Sequence, residues 1–243
     1  MNNKIIPCLD IRDGRVVKGK KFENVADVAD PVTLAKRYET ERADTLFLLD
    51  ISGNDRQTFL QIVREIRVAT SCPLYVGGGI RSVEDVAKAL QAGATKVSIT
   101  SAAIEDPAII EQSTYAFGND KVILSIDAKK VADDKWHAFT KGGKVDSGLD
   151  VIAWAKQGEE LGASEILLNS IDADGVKQGY DLALNKAVAN AVNIPVIASG
   201  GAGKMDDFSS VLAEDNVQAA LAASVFHYGE IAIPDLKGFL ENA

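Results

Sequence analysis

The sequence predicts a single α/β domain, a closed (βα)8 TIM barrel with a two-fold half-barrel repeat. Short apolar runs and helical patterns alternate eight times along the 243 residues, a length typical of one such barrel. The runs are continuously apolar, as expected for strands with helices outside and packed side chains inside. Similar residues also recur at about half the chain length, because 117 residues separate Asp10 from Asp127 and 122 separate Gly79 from Gly201.

The first predicted half-barrel covers about residues 1–118. Asp30 is the expected N-cap of its first helix, with Pro31 at the first helical position, and Ser82 is the expected N-cap of the third. The apolar runs and helical patterns predict strands at 5–11, 46–51, 73–79 and 96–101, and helices at 31–42, 58–70, from Ser82 onward and at 107–117.

The second predicted half-barrel covers about residues 119–243. A polar stretch that contains Trp136 and His137 indicates a β-hairpin inserted before its first helix. Tryptophans are more often packing side chains than stacking platforms, so Trp136 and Trp154 are interpreted as packing residues. The pattern predicts strands at 122–130, 165–171, 195–200 and 219–225, and helices at 150–161, 182–192, 205–214 and 235–242.

Composition excludes several classes of partner. A net charge of -9 argues against broad electrostatic binding to nucleic acid or to an anionic membrane, and no apolar run is long enough to span a bilayer. We therefore expect a cytoplasmic protein that binds a small molecule. Two histidines and two lone cysteines, Cys8 and Cys72, predict no metal site, and no dinucleotide motif follows a strand, so no cofactor is expected. Cys8 should lie inside the barrel beneath Asp10 because the two share strand parity.

Two carboxylates are the candidate catalytic groups. Asp10 ends the first strand and Asp127 the fifth, so in a closed barrel they face one cavity from opposite sides, as general acid and base would. Such aspartates can also cap a helix or brace a loop, but no helix pattern begins directly after either one. The proton donor would need a raised pKa, and the sequence leaves open which aspartate has it.

Glycine clusters at the predicted strand ends suggest phosphate binding. Exposed backbone N–H groups at residues 77–79, 174–175 and 200–203 could each hold an anion, and Ser224 precedes a short helical segment that could add to one such site. Any single cluster is also typical of a tight turn, but two related by the repeat favour a substrate with a phosphate at each end. Residues 13–22 are predicted to form a long binding loop, in which Lys18 either closes over a phosphate or is solvated.

Several motifs together resemble one known family across essentially the whole chain. The motifs are Ile-Ile-Pro-Cys-Leu-Asp at 5–10, Asp-Gly-Arg-Val-Val-Lys-Gly at 13–19, Ser-Ile-Asp-Ala-Lys at 125–129, Ala-Ser-Gly-Gly-Ala-Gly-Lys at 198–204 and Ala-Ala-Ser-Val-Phe-His at 222–227. The chain resembles the cyclase subunits of imidazole glycerol phosphate synthase, of histidine biosynthesis. The resemblance implies a barrel that uses ammonia to convert a ribulosyl aminoimidazole carboxamide nucleotide, phosphorylated at both ends, into imidazole glycerol phosphate and aminoimidazole carboxamide ribotide.

The resemblance also implies roles for individual residues. Asp127 matches the general base, Asp10 the general acid and Lys18 the side chain that closes over the substrate. Gly79 and Ser101 match one phosphate site. The remaining positions implied for substrate or phosphate binding are Asp50, Thr100, Asn169, Asp174, Gly175, Ser199, Gly200, Gly201, Ala223 and Ser224.

A glutaminase partner follows from the same resemblance. In the family a glutaminase subunit docks at the strand-start face as a heterodimer, and ammonia passes through a gate of alternating charges, Arg, Glu, Lys and Glu. The matching positions here are Lys4, Thr45, Lys96 and Glu165. Because Thr45 replaces an anion, two lysines would share one carboxylate. We therefore expect one lysine to turn toward water or toward the docked partner, and the gate to leak ammonia.

The chain differs from the family pattern at a few positions expected near the substrate face. Tyr75 stands where the family has Thr, Thr100 where it has Asn and Asn169 where it has Thr, and the loop at 51–55 is shorter. Alternative functions are a cyclase-like paralogue in another ammonia-dependent pathway, the sister sugar-phosphate isomerase of histidine biosynthesis, or a protein that only binds.

Overall fold

A computed structural model describes residues 3–20, 23–52 and 55–242, without the side chains of residues 18–28. Its first half follows the predicted alternation of strands and helices. The elements are β1 (Lys4–Arg12), β2 (Arg15–Lys20), β3 (Glu23–Ala29), α1 (Pro31–Thr40), β4 (Leu46–Asp50), α2 (Arg56–Ala69), β5 (Leu74–Gly77), α3 (Val83–Gln91), β6 (Lys96–Ile99), α4 (Ser101–Glu105) and α5 (Ala108–Phe117).

The second half repeats the alternation. Its elements are β7 (Val122–Ala132), β8 (Lys135–Thr140), β9 (Val145–Asp150), α6 (Val151–Glu160), β10 (Glu165–Ser170), α7 (Leu182–Ala189), β11 (Val196–Ser199), α8 (Met205–Leu212), β12 (Val217–Ala222), α9 (Ser224–His227) and α10 (Ile233–Glu241). None of the helices in the described ranges is long and apolar enough to cross a membrane.

Eight parallel strands close into a barrel. The order is β1, β4, β5, β6, β7, β10, β11 and β12, and β12 pairs with β1 to complete the circle. Parallel strands place all their carboxyl ends at one face, and the helices that connect them cover the outside. The predicted (βα)8 barrel is confirmed.

Predicted helix caps explain where two of the helices begin. Asp30 Oδ1 accepts a hydrogen bond from Thr33 N at 2.8 Å, and Pro31 begins α1. Ser82 Oγ accepts one from Asp85 N at 3.2 Å, which begins α3. Both caps satisfy backbone donors that the first turn of a helix leaves unpaired.

The core has two layers. The larger cluster fills the space between the barrel and its helices and includes Trp136 and Trp154, at 3% and 2% exposure, as the packing interpretation predicted. A smaller cluster fills the inside of the barrel and includes Cys8, as strand parity predicted. Its members are Ile6, Cys8, Phe47, Tyr75, Ile123, Leu167, Ile197, Ala219 and Leu221.

The segment after β1 is not the predicted loop. β2 pairs antiparallel with β1 and with β3, so residues 15–20 are a strand that continues the barrel wall outward. Asp13 and Gly14 form the two-residue turn, with φ values of 49° and 78°, which is the conformation of a type I′ hairpin turn. Val16 and Val17 are buried, and this burial favours a strand rather than a loop for this segment.

The two halves share this extension. β7 pairs antiparallel with β8, and β8 with β9, which confirms the predicted hairpin. This arrangement of β7, β8 and β9 matches that of β1, β2 and β3 in the first half. Asp150 caps α6 by accepting from Ala153 N at 2.9 Å, as Asp30 caps α1. Short helices, α4 and α9, follow the last strand of each half. The half-barrel boundary near residue 118 stays a prediction.

Candidate active site

Asp10 lies near the carboxyl end of β1, inside the barrel mouth. Its side chain is buried, and Oδ1 accepts a hydrogen bond from Cys8 Sγ at 3.4 Å. Cys8 lies two residues earlier on the same strand and therefore points into the same interior. A thiol is a weak donor, so this contact orients the carboxyl group only weakly.

Asp127 lies near the carboxyl end of the barrel part of β7 and is held by a chain of hydrogen bonds. Asn169 Nδ2 donates to Asp127 Oδ1 at 3.0 Å, and Ser199 Oγ donates to Asn169 Oδ1 at 3.1 Å. The serine therefore fixes which end of the amide faces the carboxylate. Burial raises the pKa of Asp127, the hydrogen bond from Asn169 opposes that rise, and the charge of Asp174 adds to it.

The two aspartates lie on strands in opposite walls of the barrel. β1 and β7 are separated by β4, β5 and β6 on one side of the barrel and by β12, β11 and β10 on the other. The strands are parallel, so both aspartates lie toward the same face. A small substrate bound between them would meet a proton donor on one side and an acceptor on the other.

Two short helices begin at matching positions on this face. Ser101 begins α4 after Thr100 (φ −118°, ψ −95°), and Ser224 begins α9 after Ala223 (φ −123°, ψ −74°). The backbone is thus almost the same at the two predicted phosphate positions. Ser101 Oγ also accepts a hydrogen bond from Lys141 N at 3.1 Å, so the turn between β8 and β9 lies against this site, which the sequence did not predict.

Close packing requires glycine in two turns at this face, whether or not those turns bind a ligand. A Cβ atom on Gly78 would lie 2.1 Å from Asp50 O, and one on Gly201 would lie 2.1 Å from Gly179 O. Both residues also have positive φ, at 84° and 111°. The tight-turn interpretation therefore holds for both, and it leaves the backbone close to the barrel mouth.

Other predicted substrate residues are placed as follows. Asp50 faces Arg56, with 3.7 Å between Oδ2 and Nη1, and Arg56 donates to Gly78 O at 2.7 Å. Arg56 was not among the predicted residues. Gly79 and Gly200 follow β5 and β11, and Asp174 and Gly175 lie in the turn after β10. Lys18 lies on β2, and its side chain is outside the described part of the structure.

The strand-start mouth holds the predicted gate positions. Lys96 Nζ lies 2.8 Å from Glu165 Oε1, whereas Lys4 is exposed to solvent, so only one lysine meets the single carboxylate. Thr45 is buried. The role of these four residues as an ammonia gate stays a prediction.

Tyr75 also lies at the strand-start mouth, so its predicted position near the substrate face was wrong. Its hydroxyl group donates to Glu165 Oε1 at 3.2 Å and lies beside the Thr45 side chain. Tyr75 pairs in register with Lys96, at the start of β6, which is why its side chain faces the barrel base. Burial and the nearby Glu165 carboxylate raise the pKa of Tyr75, so the phenol stays protonated.

Within the described residues, no group of three His, Cys, Asp or Glu side chains is arranged to hold a metal ion. The fold and the strand-end carboxylates define a (βα)8-barrel enzyme. Residues 4–232 match the family described as histidine biosynthesis protein.

Curated relatives identify the group within that family. The imidazole glycerol phosphate synthase subunit HisF of Oceanobacillus iheyensis is 54% identical over 241 residues, which cover 98% of this chain and 94% of that protein. HisF subunits from two strains of Bacillus cereus are each 50% identical over 242 residues, which cover 99% of this chain and 96% of those proteins. The chain therefore belongs to the family of imidazole glycerol phosphate synthase HisF subunits, which confirms the resemblance.

Proposed function

We propose that this protein is an ammonia-dependent cyclase that converts the ribulosyl aminoimidazole carboxamide nucleotide into imidazole glycerol phosphate and aminoimidazole carboxamide ribotide. The observation that carries the proposal is the pair of carboxylates on opposite walls of the barrel mouth, in a chain at least half identical to HisF subunits over nearly its full length. Relatives of that name and coverage favour this function over the sister isomerase and over a paralogue of another pathway.

The chemistry needs protons to move in two directions. Ammonia adds to the ketone of the ribulosyl group, and the ketone oxygen leaves as water after it gains protons. The new nitrogen then loses a proton and bonds to the formimino carbon, and the bond from that carbon to the aminoimidazole carboxamide ribotide breaks as the departing amine gains a proton. The raised pKa of Asp127 suits a general base, because a more basic carboxylate takes up a proton more readily, and it would also suit a proton donor. The choice of Asp127 as the base therefore rests on the match to the family. Asp10, on the opposite wall, is proposed as the acid.

Two phosphate sites are proposed at the two short helices. Ser101 with Gly79 would hold one phosphate, and Ser224 with Gly201 the other, each through backbone N–H groups. The nearly equal backbone angles before Ser101 and Ser224 support this pairing. Of the other residues, Lys18 is proposed to close over the substrate, and Asn169 and Ser199 to hold Asp127.

The direct test is turnover by the isolated protein with the ribulosyl substrate and a high concentration of ammonium chloride. We expect formation of imidazole glycerol phosphate in step with aminoimidazole carboxamide ribotide. Asp127→Asn in the same assay controls for the uncatalysed reaction. Binding of the ribulosyl substrate without turnover would favour a protein that only binds. Turnover of a different ammonia acceptor alone would favour the paralogue.

We also propose a glutaminase partner at the strand-start face, in a heterodimer. The relatives are named as subunits, which supports a complex. The buried polar cluster that Tyr75, Lys96 and Glu165 form at this mouth also supports it. Within the described residues, Glu165 Oε2 is buried and accepts no hydrogen bond, so it could accept one from a small donor such as ammonia. The two buried cysteines are not joined by a disulfide bond, which suits the reducing cytoplasm, the proposed location.

The gate is proposed to leak. Glu165 is the one carboxylate among the four predicted gate positions, and the uncharged Thr45 and Tyr75 complete the cluster around it. With a reconstituted glutaminase, we expect more glutamine to be hydrolysed than product formed. Thr45→Glu should bring the ratio closer to one, and Thr45→Val controls for loss of the hydroxyl group. A one-to-one ratio that Thr45→Glu does not change would contradict the leak, and failure to bind any glutaminase would contradict the partnership.

A further inference from the structure

The short helix α9 cannot hold its own position. It has four residues, and its first internal hydrogen bonds run to Ala223 O from Phe226 N at 3.1 Å and from His227 N at 2.9 Å. A single helical turn is unfavourable alone, because few hydrogen bonds offset the entropy of fixing its backbone. The direction in which its amino end points therefore depends on contacts with the rest of the protein.

One such contact comes from Tyr38, which lies 189 residues earlier on α1. Its hydroxyl oxygen is 2.6 Å from His227 Nδ1, and the two rings stack with centroids 6.0 Å apart at 29°. Tyr38 is fully buried and His227 nearly so, at 7% exposure. Burial raises the pKa of Tyr38, so the phenol keeps its proton, and the tautomer of His227 sets which partner donates in this hydrogen bond.

The neighbouring residue on α1 makes a second contact. Arg37 Nη2 donates to Phe226 O at 3.3 Å, near the carboxyl end of α9, where a cation is favoured. Two further contacts hold the Arg37 guanidinium. Its Nε donates a hydrogen bond to Glu41 Oε1 at 2.7 Å, and it lies 5.6 Å from the centroid of the Tyr38 ring. Both residues of α1 thus bind the last two residues of α9.

We propose that Arg37 and Tyr38 are positioning residues for the part of the substrate site that Ala223 and Ser224 form. This inference rests on the proposed function, in which Ser224 helps to hold one phosphate. Holding the carboxyl end of a one-turn helix fixes the direction of its amino end, so losing either contact would let Ser224 shift away from the phosphate.

The contact also crosses the seam where the barrel closes. α1 belongs to the unit that begins with β1, which carries Asp10, and α9 follows β12, which pairs with β1. The first unit of the chain therefore sets the phosphate site of the last one. Because both residues contact the carboxyl end of α9, the expected effect falls on substrate binding and not on the acid and base.

The kinetic test compares Tyr38→Phe and Arg37→Met with a matched control, Thr114→Val. Thr114 is also buried and donates to Glu111 O at 2.9 Å, but it lies on α5, which does not carry a predicted site residue. We expect KM for the ribulosyl substrate to rise about 5- to 10-fold in Tyr38→Phe, with kcat within about twofold of the wild type. Thr114→Val should leave KM unchanged at a similar melting temperature.

A second readout does not depend on turnover. Crystals of the wild type and of Tyr38→Phe soaked in sulfate should both show an ion near Ser101, and the ion near Ser224 should be weaker in the variant. Equal occupancy together with an unchanged KM, or a loss of kcat alone, would overturn the positioning role. A wild type that fills both sulfate sites without turning over substrate would instead overturn the proposed function.

Discussion

At the scale of single residues, Asp10 and Asp127 carry the chemistry in our proposal. Replacing either by Asn keeps the size and removes proton transfer, so we expect kcat to fall about 100-fold or more, the usual scale for a lost general acid or base. Substrate binding should largely survive. Steady-state kinetics with ammonium chloride measure both.

A suitable control for these variants is Asp133→Asn. Asp133 is fully exposed at the turn between β7 and β8, so losing its charge should leave kcat near the wild-type value. Near-normal kcat in Asp10→Asn or Asp127→Asn would remove that residue from the mechanism.

The hydrogen bond from Asn169 predicts a pH effect. It stabilises the charged form of Asp127, so Asn169→Ala should raise a pKa that burial already raises. A base works only when deprotonated, and the acid limb of kcat/KM should therefore move to higher pH. Ser199→Ala, which loosens the amide without removing it, should move the limb less.

The pH profile of the Asn169→Ala variant is decisive for this assignment. An acid limb that stays in place while kcat/KM falls at every pH would show that Asn169 binds substrate and does not tune the base. A limb that moves to lower pH would contradict the proposed hydrogen-bond effect itself.

Residue types at strand ends were predictable, but their contacts were not. The carboxylates could be placed because strand parity and the end of an apolar run locate a side chain at the barrel mouth. The hydrogen bond of Asn169 to Asp127 needs the register between β10 and β7, which no local pattern specifies. Tyr75 was misplaced for the same reason, since only its pairing with Lys96 brings it to the base.

At the scale of elements, the turn after β11 gives a stability prediction. Gly201→Ala should cost more than about 2 kcal/mol, because a positive φ and a backbone oxygen 2.1 Å from the new Cβ add together. Gly142 also has a positive φ, at 67°, but nothing lies within 4 Å of its Cβ position. Gly142→Ala should therefore cost only about 1 kcal/mol.

Urea unfolding of the two glycine variants separates strain from close packing. Equal free energies of unfolding would mean that positive φ alone sets the cost, and that the turn after β11 can relax away from Gly179. A larger loss for Gly201→Ala is the expected result.

Most element types were predictable, and the main failure has a physical reason. Continuous apolar runs and capping residues located the eight barrel strands and most of the helices. β2 was missed because its glycine and lysines suggest a loop, although Asp13 and Gly14 are a hairpin-turn pair. The strand depends on the burial of Val16 and Val17 against the barrel, a tertiary contact that composition does not reveal.

At the scale of the whole molecule, the repeat predicts paired anion sites. A structure in ample sulfate should contain one ion near Gly79 and Ser101 and another near Gly201 and Ser224, because the backbone before each serine is nearly the same. Crystallography at high sulfate concentration tests this. A single filled site, with the other blocked by side chains, would remove the support for a substrate phosphorylated at both ends.

Finally, the burial of Trp136 and Trp154 makes the protein useful for spectroscopy. These are the only two tryptophans in the sequence, and both lie in the second half, on β8 and α6. Their fluorescence therefore reports the unfolding of that half alone, whereas far-ultraviolet circular dichroism reports both. Coincident denaturation curves would identify the closed barrel as one cooperative unit, and separate curves would resolve the two halves without any introduced label.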